Sequence, residues 1–349
     1  MRKLATVQRV WDLEPIEGAD RIELAHVLGW QCVVNKGQFK KMDLAVYFEI
    51  DSFLPVRPEF EFLRKSSYKT SEYYGEGFRL RTMRFRGQLS QGLLLPLDAF
   101  PELAGKELDL YSDVTEILGV HKWEIPERLS TNGTIIGNLP PDIPKTDETR
   151  VQAEPDLIKD FHGLKYYIST KMDGSSHSCS IDEDGKFHVT GHNYEYKDDD
   201  KSDFYKLVKS IDLESRMRSF MKEKGLTLLT VQGEFCGPGI QSNRLRLLKA
   251  EWYVFTVREE GKRMGLDEML EVCKALDLKS VPIEEVDENL DEKYPTVEAL
   301  LARAEGPYPN GGRKEGIVIR PTEPVFCQRI SASLSMKVVS NNYLLKNEE

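Results

Sequence analysis

Five short fragments, widely spaced along the 349-residue chain, constrain its fold more than any other feature of the sequence. Most are apolar and strand-like, and each contains a side chain suited to chemistry. In chain order they are Lys-Met-Asp-Gly at 171–174, Val-Gln-Gly-Glu at 231–234, Trp-Tyr-Val-Phe at 252–255, Glu-Gly-Ile-Val-Ile-Arg at 315–320 and Met-Lys-Val-Val at 336–339. A lone Lys-x-Asp-Gly is a weak signal, because four residues recur by chance in many chains. The ordered set favours a functional site.

In this order the fragments resemble those of the covalent nucleotidyltransferases, the superfamily of polynucleotide ligases and capping enzymes, over residues 147–346. In that superfamily a lysine attacks the α-phosphate of a nucleoside triphosphate and is left carrying the nucleotide. The resemblance implies that Lys171 is the catalytic nucleophile and that Lys337 binds the α-phosphate as a compact point charge. It also implies nucleotide-binding roles for Gly174, for Glu234 at a ribose hydroxyl or a metal-bound water, and for Phe255 against a purine.

The chemistry of a lysine nucleophile calls for a divalent metal. A lysine with its ordinary pKa of about 10.4 reacts poorly until it loses its proton, and nearby cations or burial depress that pKa. A bound divalent cation supplies such charge and screens the phosphate oxygens. Such cations prefer oxygen ligands, and the resemblance implies that Asp173 and Glu315 are the carboxylates for Mg²⁺ or Mn²⁺, directly or through bound water.

Taken singly, each of these residues also has a purely structural explanation. Residues 173–176 have the composition of a turn, and the charged residues Glu234, Glu315 and Lys337 suit solvent-facing positions on strands. Phe255 by itself is more often a core residue, so both interpretations of it stay open. For the charged residues the order of the set favours the functional interpretation.

Composition is that of an ordinary intracellular, soluble protein, cytoplasmic or nuclear. Hydrophobic residues make up 40% of the chain and charged residues 30%, and no run approaches the ~20 apolar residues of a membrane span. No signal peptide is expected. The five cysteines are scattered without a Cys-x-x-Cys pair, so neither a disulfide framework nor a zinc site is predicted. The net charge of −10 means that phosphate-binding cations must be concentrated locally.

Residue patterns divide the chain into three parts. Residues 1–125 contain short strands broken by glycines, with a short helix predicted at 113–119, and suggest a small β-barrel of the OB type that binds nucleic acid. Residues 126–146 are rich in Pro and Gly and predict a linker. Residues 147–349 predict a nucleotidyltransferase domain of antiparallel sheets with peripheral helices, which are expected at 202–224, 266–276 and 296–305. The fold class is therefore α+β.

The order of these parts along the chain narrows the choice of candidate families. In most DNA ligases and capping enzymes an OB module follows the last motif, whereas here the β-rich part comes first and the chain ends shortly after Lys337. That order resembles the ATP-dependent RNA ligases with an N-terminal OB module, of the Deinococcus and Naegleria type. The similarity includes Arg-Gly-Gln-Leu-Ser-Gln-Gly at 86–92 and Thr-Asp-Glu-Thr-Arg-Val-Gln at 146–152. It implies that Arg150 contacts the nucleotide or its phosphates; a solvated arginine at a linker end is the alternative.

Two positions depart from the family pattern. A Ser-Arg-Asn element is expected between the first and third motifs, and residues 190–193 read Thr-Gly-His-Asn. Asn193 fits the expected nucleotide contact, whereas His192 replaces the arginine. Many relatives also carry a second lysine near the last motif, but Val339 stands there. Lys337 is therefore expected to act alone, or with help from Arg320 or Lys314.

The resemblance implies an ATP-dependent RNA ligase that joins 3′-hydroxyl and 5′-phosphate ends through a lysyl-AMP and an adenylylated 5′ end. Its expected cofactors are ATP and Mg²⁺ or Mn²⁺, and its expected partner is RNA, as a nicked duplex or as broken ends. Three alternatives stay open: a GTP-using capping-type guanylyltransferase, a DNA ligase, and an inactive ligase-like protein that binds RNA. His192 is the feature that favours the last.

A basic segment in the N-terminal module is a candidate contact to nucleic acid. Residues 78–86 have strand composition and carry four arginines interleaved with apolar residues: Arg79, Arg81, Arg84 and Arg86. In a barrel of a type that binds oligonucleotides, such a cluster in an acidic chain favours phosphate contact. An ordinary solvated strand face is the alternative.

Overall fold

The computed structural model of the protein describes residues 3–124, 133–199 and 201–346. The described residues form two compact units. The first contains residues up to 124 together with 152–155 and 344–346, and the second contains residues 133–151 and 156–343. Among the helices described in these ranges, none is both long and apolar enough to cross a membrane.

The first unit consists mainly of short antiparallel strands. Its strands are β1 (Ala5–Arg9), β2 (Asp12–Pro15), β3 (Ile22–Val27), β4 (Trp30–Asn35), β5 (Leu44–Phe48), β6 (Ser52–Pro55), β7 (Tyr68–Ser71), β8 (Gly75–Arg79), β9 (Thr82–Phe85), β10 (Gln88–Gln91), β11 (Leu93–Pro96) and β12 (His121–Lys122). They pair in the orders β1-β5-β11, β2-β3-β4, β12-β6-β8-β7 and β9-β10. A short helix, Arg64–Ser67, follows a 3-10 turn at Pro58–Leu63. The core is built from alternate strand positions, including Val46, Phe48, Leu54 and Phe78.

Two local predictions for this unit are wrong. The expected helix at 113–119 is a hydrogen-bonded turn, in which the side chain of Thr115 accepts hydrogen bonds from the N–H groups of Leu4 and Ala5 instead of facing solvent. The expected single strand at 78–86 is two strands, β8 and β9, in separate sheets. The chain leaves the first sheet at Leu80, which is buried and bonds through its backbone to residues 51 and 52.

The second unit contains two antiparallel sheets. Its strands are β13 (Ile135–Asn138), β14 (Lys165–Lys171), β15 (Ser175–Ile181), β16 (Phe187–Thr190), β17 (Tyr194–Tyr196), β18 (Leu229–Cys236), β19 (Glu251–Glu259), β20 (Lys262–Arg263), β21 (Lys279–Ser280), β22 (Ile283–Glu288), β23 (Gly316–Pro321), β24 (Phe326–Cys327), β25 (Ala332–Ser333) and β26 (Met336–Val339). The larger sheet has the order β13-β17-β16-β15-β18-β19-β20, with β21 parallel to β19. The smaller has the order β22-β14-β23-β26, and β24 pairs with β25.

Helices cover the sheets of this unit. They span Asp203–Ser210, Leu213–Lys224, Leu266–Ala275, Leu290–Lys293 and Val297–Ala304, and Asn341–Lys346 lies at the C-terminal end. The first three pack on the larger sheet through residues such as Phe204, Met217 and Met269. Helices 266–276 and 296–305 were predicted and are confirmed to within one residue at each end. The single helix predicted at 202–224 is wrong, because Asp212 adopts a left-handed conformation (φ 50°) and breaks it into two.

The predicted linker is only partly described. Residues 126–132 lie outside the described residues. In its second half Ile135–Asn138 forms β13, which pairs with β17.

Candidate active site

One of the connections between the two sheets of the second unit is the Lys-Met-Asp-Gly motif itself. Lys171 is the last residue of β14, and β15 begins only four residues later, so the motif carries the chain from the smaller sheet to the larger one. Strand register then brings the other motifs to the same place. Lys171 pairs with Gly316 at the start of β23, and Glu234 pairs with Ser176 on β15.

Gly174 is required by this crossing. A Cβ atom at this position would lie 2.4 Å from the carbonyl oxygen of Phe235 and 3.0 Å from Cγ of Glu234. Backbone atoms cannot move away at low cost, so only glycine lets β15 approach β18 here. The predicted nucleotide-binding role of Gly174 stays a prediction, but its structural need is clear.

Lys171 and Glu315 form an ion pair. Lys171 Nζ lies 2.9 Å from Glu315 Oε1, and their side chains are 23% and 16% exposed. Burial by itself lowers the pKa of the Lys171 amine, but the carboxylates of Glu315, Glu234 and Asp173 outweigh it and hold the pKa above its ordinary value. Lys171 is therefore protonated, and it becomes nucleophilic only when part of this negative charge is neutralised.

The carboxylates near Lys171 also destabilise one another. Burial, together with the charge of Glu315, raises the pKa of Asp173. Burial raises the pKa of Glu234 to about 8; Glu315 and Asp173 add to this effect and Lys171 opposes it. Three acidic groups therefore share this site with two cations, Lys171 and Arg244, whose Nε lies 3.5 Å from Asp173 Oδ2, and a divalent cation would relieve the repulsion among the acidic groups.

Asp173 and Glu315, the predicted metal ligands, are two of these acidic groups. Asp173 and Glu315 both lie beside Lys171, since each contributes to its pKa. In the described part of the chain, however, no three His, Cys, Asp or Glu side chains are arranged to enclose a metal ion. The two carboxylates suit a cation of the Mg²⁺ type, which keeps several waters and is commonly held by one or two carboxylates together with substrate phosphates.

A cavity of about 180 Å³ opens beside Lys171. Besides the nucleophile, it is lined by Thr146, Asp147, Glu148, Ser169, Thr170, Met172, Ser176, His192, Glu234, Phe255, Val281, Val318, Arg320 and Lys337. The partly exposed ring of Phe255 borders the cavity, and the guanidinium of Arg320 lies 5.6 Å from its centroid. Apolar groups such as Phe255 and Val318 with polar groups around them are typical of a small-molecule binding site.

The remaining predicted nucleotide contacts occupy different positions relative to this cavity. Lys337 lines it, and its backbone forms a bridge with Arg150, which is not itself a lining residue. His192 lines the cavity and lies 3.4 Å from Asp147. Asn193 instead accepts a hydrogen bond from Lys145 (2.9 Å). The contacts predicted for Arg150 and Asn193 therefore stay predictions.

The two residues considered as helpers of Lys337 are both engaged. Buried Lys314 donates to both carboxylate oxygens of Glu284 at 2.8 and 3.0 Å. Arg320 pairs with Glu148 and donates to the carbonyl of Phe255. Arg320 nevertheless lines the cavity. Its guanidinium lies over the Phe255 ring there, so it supports that ring instead of helping Lys337 to bind a phosphate.

Two residues that the sequence did not single out, buried Tyr308 and half-buried Glu284, hold the ion pair in place. The Tyr308 hydroxyl donates to the carbonyl of Lys171 (2.7 Å) and accepts from the N–H of Glu315 (3.2 Å). Glu284 accepts a hydrogen bond from Thr170 (2.7 Å) as well as from Lys314. Each contact acts on the residue carrying the chemistry or on its neighbour, so the pair is pre-positioned.

We expect Glu234→Gln to change how stability depends on pH. The native carboxyl has a pKa of about 8 against an ordinary value of 4.5, so the folded state holds its proton more tightly than the unfolded state does. The wild type should therefore lose a few kcal/mol of unfolding free energy as pH rises from 4.5 through 8. The glutamine variant cannot titrate here and should lose less. Urea unfolding in chelator at pH 5, 7 and 9 measures the difference; parallel curves for the two proteins would contradict the assignment.

The four arginines of the N-terminal module are not presented as one row. Arg79 lies 5.3 Å from the ring of Trp123. Arg84 donates to the carbonyl of Gly87 and Arg86 to that of Gly18, both at 2.8 Å. Arg81 lies between β8 and β9. Their predicted contact with nucleic acid therefore rests on separate positions rather than on a single strand face.

Comparisons with known proteins agree with this geometry. A family model described as an OB-fold domain matches residues 4–97, and one described as RNA ligase matches residues 164–339. No match was found among curated protein sequences. The OB-type module and the α+β fold class predicted from the sequence are confirmed.

Solved structures of Naegleria gruberi RNA ligase resemble the chain over its whole length. The structure with PPi has 36% sequence identity and a TM-score of 0.87, and the match covers 100% of this chain and 99% of that one. A point mutant with ATP and Mn matches at 35% identity and TM-score 0.87 over 100% of both chains. Another mutant, with AMP and Mn, matches at 36% and 0.87 over 99% of this chain and 100% of that one. This protein, with its lysine between two sheets and its N-terminal OB-fold domain, belongs to the RNA ligase family.

Proposed function

We propose that the protein is an ATP-dependent ligase that joins a 3′-hydroxyl and a 5′-phosphate RNA end through a covalent lysyl-AMP. The observation that carries this proposal is Lys171, which lies at the edge of a cavity lined by Phe255 and Lys337, 2.9 Å from Glu315. Support for ATP as the nucleotide comes from the related Naegleria gruberi enzyme, whose structures contain ATP or AMP with Mn.

In the first step deprotonated Lys171 attacks the α-phosphorus of ATP. A bond forms from Nζ to phosphorus, and the bond from that phosphorus to the bridging oxygen breaks, so pyrophosphate leaves. Phe255 and Val318 would hold the adenine, and Lys337 would stabilise charge on the α-phosphate oxygens. Tyr308 keeps the backbone of Lys171 aligned with that of Glu315 throughout, since it bonds to both.

Two transfers complete the reaction. An oxygen of the RNA 5′-phosphate attacks the phosphorus of lysyl-AMP, the bond to Nζ breaks, and the amine regains a proton. The RNA 3′-hydroxyl oxygen then attacks the 5′-phosphorus, the phosphodiester forms, and AMP leaves with the former bridging oxygen. Neighbouring carboxylates favour a protonated lysine, which suits the amine as a leaving group in the second step.

Asp173 and Glu315 would hold Mg²⁺ or Mn²⁺ beside the nucleophile. The bound cation supplies the positive charge that offsets these carboxylates and the phosphate oxygens. Without that charge the Lys171 pKa stays raised, so this chain's own residues do not produce a free amine near neutral pH. The fit rests on the mutual repulsion of the carboxylates around Lys171, which raises the pKa of Asp173 and of Glu234.

The test of the proposed function is transfer of label from α-labelled ATP, or from α-labelled GTP, to the protein in the presence of Mg²⁺ or Mn²⁺. ATP should label the protein and GTP should not. Sealing is then measured on nicked duplexes that differ only in RNA or DNA on the 3′-hydroxyl side, and the RNA end should be preferred. Labelling by GTP alone would indicate a capping-type enzyme, preference for the DNA end would indicate a DNA ligase, and absence of labelling would indicate an inactive relative.

We also propose that the N-terminal module binds nucleic acid. Neutralising Arg79, Arg81, Arg84 and Arg86 together to Gln should leave lysyl-AMP formation intact, because the four residues lie in the first unit and all adenylylation motifs in the second. Sealing of a pre-adenylylated nick should weaken, with a shallower salt dependence, because lost phosphate contacts release fewer counterions. Circular dichroism checks folding, and sealing at the wild-type rate by a folded variant would refute the assignment.

A further inference from the structure

The loop at residues 237–250, which connects β18 to β19, is unusual in charge. It carries three basic residues, Arg244, Arg246 and Lys249, and no acidic residue. The whole chain by contrast has a net charge of −10. The loop follows Glu234 by only three residues, so this positive segment begins at the active site.

Arg244 lies against Asp173 without a proper hydrogen bond. Its Nε is 3.5 Å from Asp173 Oδ2, and both atoms are buried without a hydrogen-bond partner. The guanidinium lies 5.0 Å from the ring centroid of Tyr343, and the hydroxyl of Tyr343 donates to Asp173 Oδ1 (3.0 Å). Unsatisfied buried polar atoms are costly and uncommon, and they are found where a ligand completes the bonding. For a guanidinium, the matching ligand is a phosphate.

The loop is held rigidly in this position. The Asn243 side chain donates to the carbonyl of Leu247 and accepts from its N–H, each at 3.0 Å. Leu245 is buried among Met172 and other apolar side chains. The N–H of Gly312 donates to the carbonyl of Arg244, and a Cβ at Gly311 would lie only 2.0 Å from that oxygen. A pre-formed loop binds its ligand without the entropic cost of ordering.

The outer part of the loop faces solvent. Arg246 and Lys249 are exposed, and Leu248 is 99% exposed. A ligand that reaches Arg244 beside Asp173 and also the exposed cations must be a polyanion that extends out of the site. A nucleic acid strand meets this requirement, since its phosphates pair with the cations and a base or sugar covers the leucine.

We propose that residues 237–250 bind the RNA strand that carries the 5′-phosphate. Arg244 contacts the 5′-terminal phosphate next to the nucleophile, and Arg246 and Lys249 contact the phosphates that follow. This deepens the proposed function and rests on it, because it names the site that presents the 5′ end to lysyl-AMP.

The test uses the full-length protein with Arg246→Gln and Lys249→Gln combined. The matched control is Lys222→Gln with Lys224→Gln, which removes two exposed charges from the end of the helix Leu213–Lys224. Fluorescence anisotropy measures affinity for a nicked RNA duplex with a 5′-phosphate at several KCl concentrations. The loop variant should bind about tenfold or more weakly, and the salt slope should fall by about 2, one for each lost phosphate contact. The control should match the wild type.

A second measurement follows transfer of AMP from preformed labelled enzyme to the RNA. The loop variant should take label from ATP at the wild-type rate and pass it to RNA more slowly. Among preloaded enzymes, Arg244→Lys should transfer faster than Arg244→Gln because it keeps the charge.

The outcomes separate this inference from the proposed function. Unchanged RNA affinity in the loop variant overturns the inference, as does an equal loss for 5′-hydroxyl and 5′-phosphate RNA in Arg244→Gln. If labelling from ATP slows as much as transfer to RNA, the loop binds the triphosphate instead. Failure of the wild type to form lysyl-AMP refutes the proposed function, while the anisotropy result still decides whether the loop binds RNA.

Discussion

Lys171→Ala is expected to abolish transfer of label from ATP to the protein and sealing of an ordinary 5′-phosphate nick. Nζ of Lys171 is the atom that would form the bond to phosphorus. The neighbouring carboxylates contain no amine and cannot take over this role. The loss should be on the order of 10³-fold or more, as expected when a covalent nucleophile is removed. Gel detection of labelled protein after reaction with α-labelled ATP measures it.

The control for this variant is a nick that already carries AMP on its 5′ end. Sealing of that nick does not require a lysyl intermediate, so the alanine variant should retain it if the protein is folded. Labelling of the alanine variant to an extent similar to the wild type would show that another residue is the nucleophile.

Glu315→Gln gives the second large effect, and its direction distinguishes two roles of this carboxylate. Glu315 lies 2.9 Å from Lys171 Nζ and helps to raise the pKa of that amine. If pairing with the lysine were its only role, the variant would have a more easily deprotonated lysine and would form lysyl-AMP faster near neutral pH. If it holds the divalent cation, the rate should fall on the order of 100-fold, about 3 kcal/mol.

We expect the fall, and we expect the same for Asp173→Asn. The measurement is the single-turnover rate of label transfer from ATP between pH 6 and 9 at saturating Mg²⁺, repeated with Mn²⁺. Urea unfolding checks that both variants are folded. Rates close to the wild type in both variants, or a faster rate in Glu315→Gln, would remove these carboxylates from the metal site.

Lys171 is not activated before its substrate binds, because three acidic groups oppose the effect of burial on its pKa. Activation must come with the substrate and its cation, which would link formation of the reactive amine to the arrival of ATP. Such an arrangement would protect the lysine from reacting with other electrophiles while the site is empty.

Several features were determined by the sequence alone. The motif order predicted Lys171, Asp173, Glu234, Glu315 and Lys337 as site residues, and short strands broken by glycines predicted the OB-type module, which is confirmed. Helices Leu266–Ala275 and Val297–Ala304 were also predicted, because the tendency of a segment to form an amphipathic helix is a local property. In each case the information lies in neighbouring residues or in a recurrent motif.

Local signals failed where distant contacts decided the conformation. The turn at 113–119 has a helical pattern, yet Thr115 bonds to residues 4 and 5. The helix predicted over 202–224 is broken by the left-handed Asp212. The basic run at 78–86 divides because Leu80 belongs to the core. In all three, long-range packing or a single backbone conformation overrides the propensity of the segment.

The supporting residues of the site were decided only by the tertiary structure. Tyr308 reaches the carbonyl of Lys171 across 137 residues, and Tyr343 reaches Asp173 across 170. Neither tyrosine stands in a motif that would mark it, and the partner of each depends on how β14, β23 and the loops beside them are aligned. The basic run at 237–250 was not singled out from the sequence, and its approach to Asp173 depends on the tertiary structure. Sequence therefore names the groups that are expected to react, whereas the pairing of strands distant in the chain determines what holds and surrounds them.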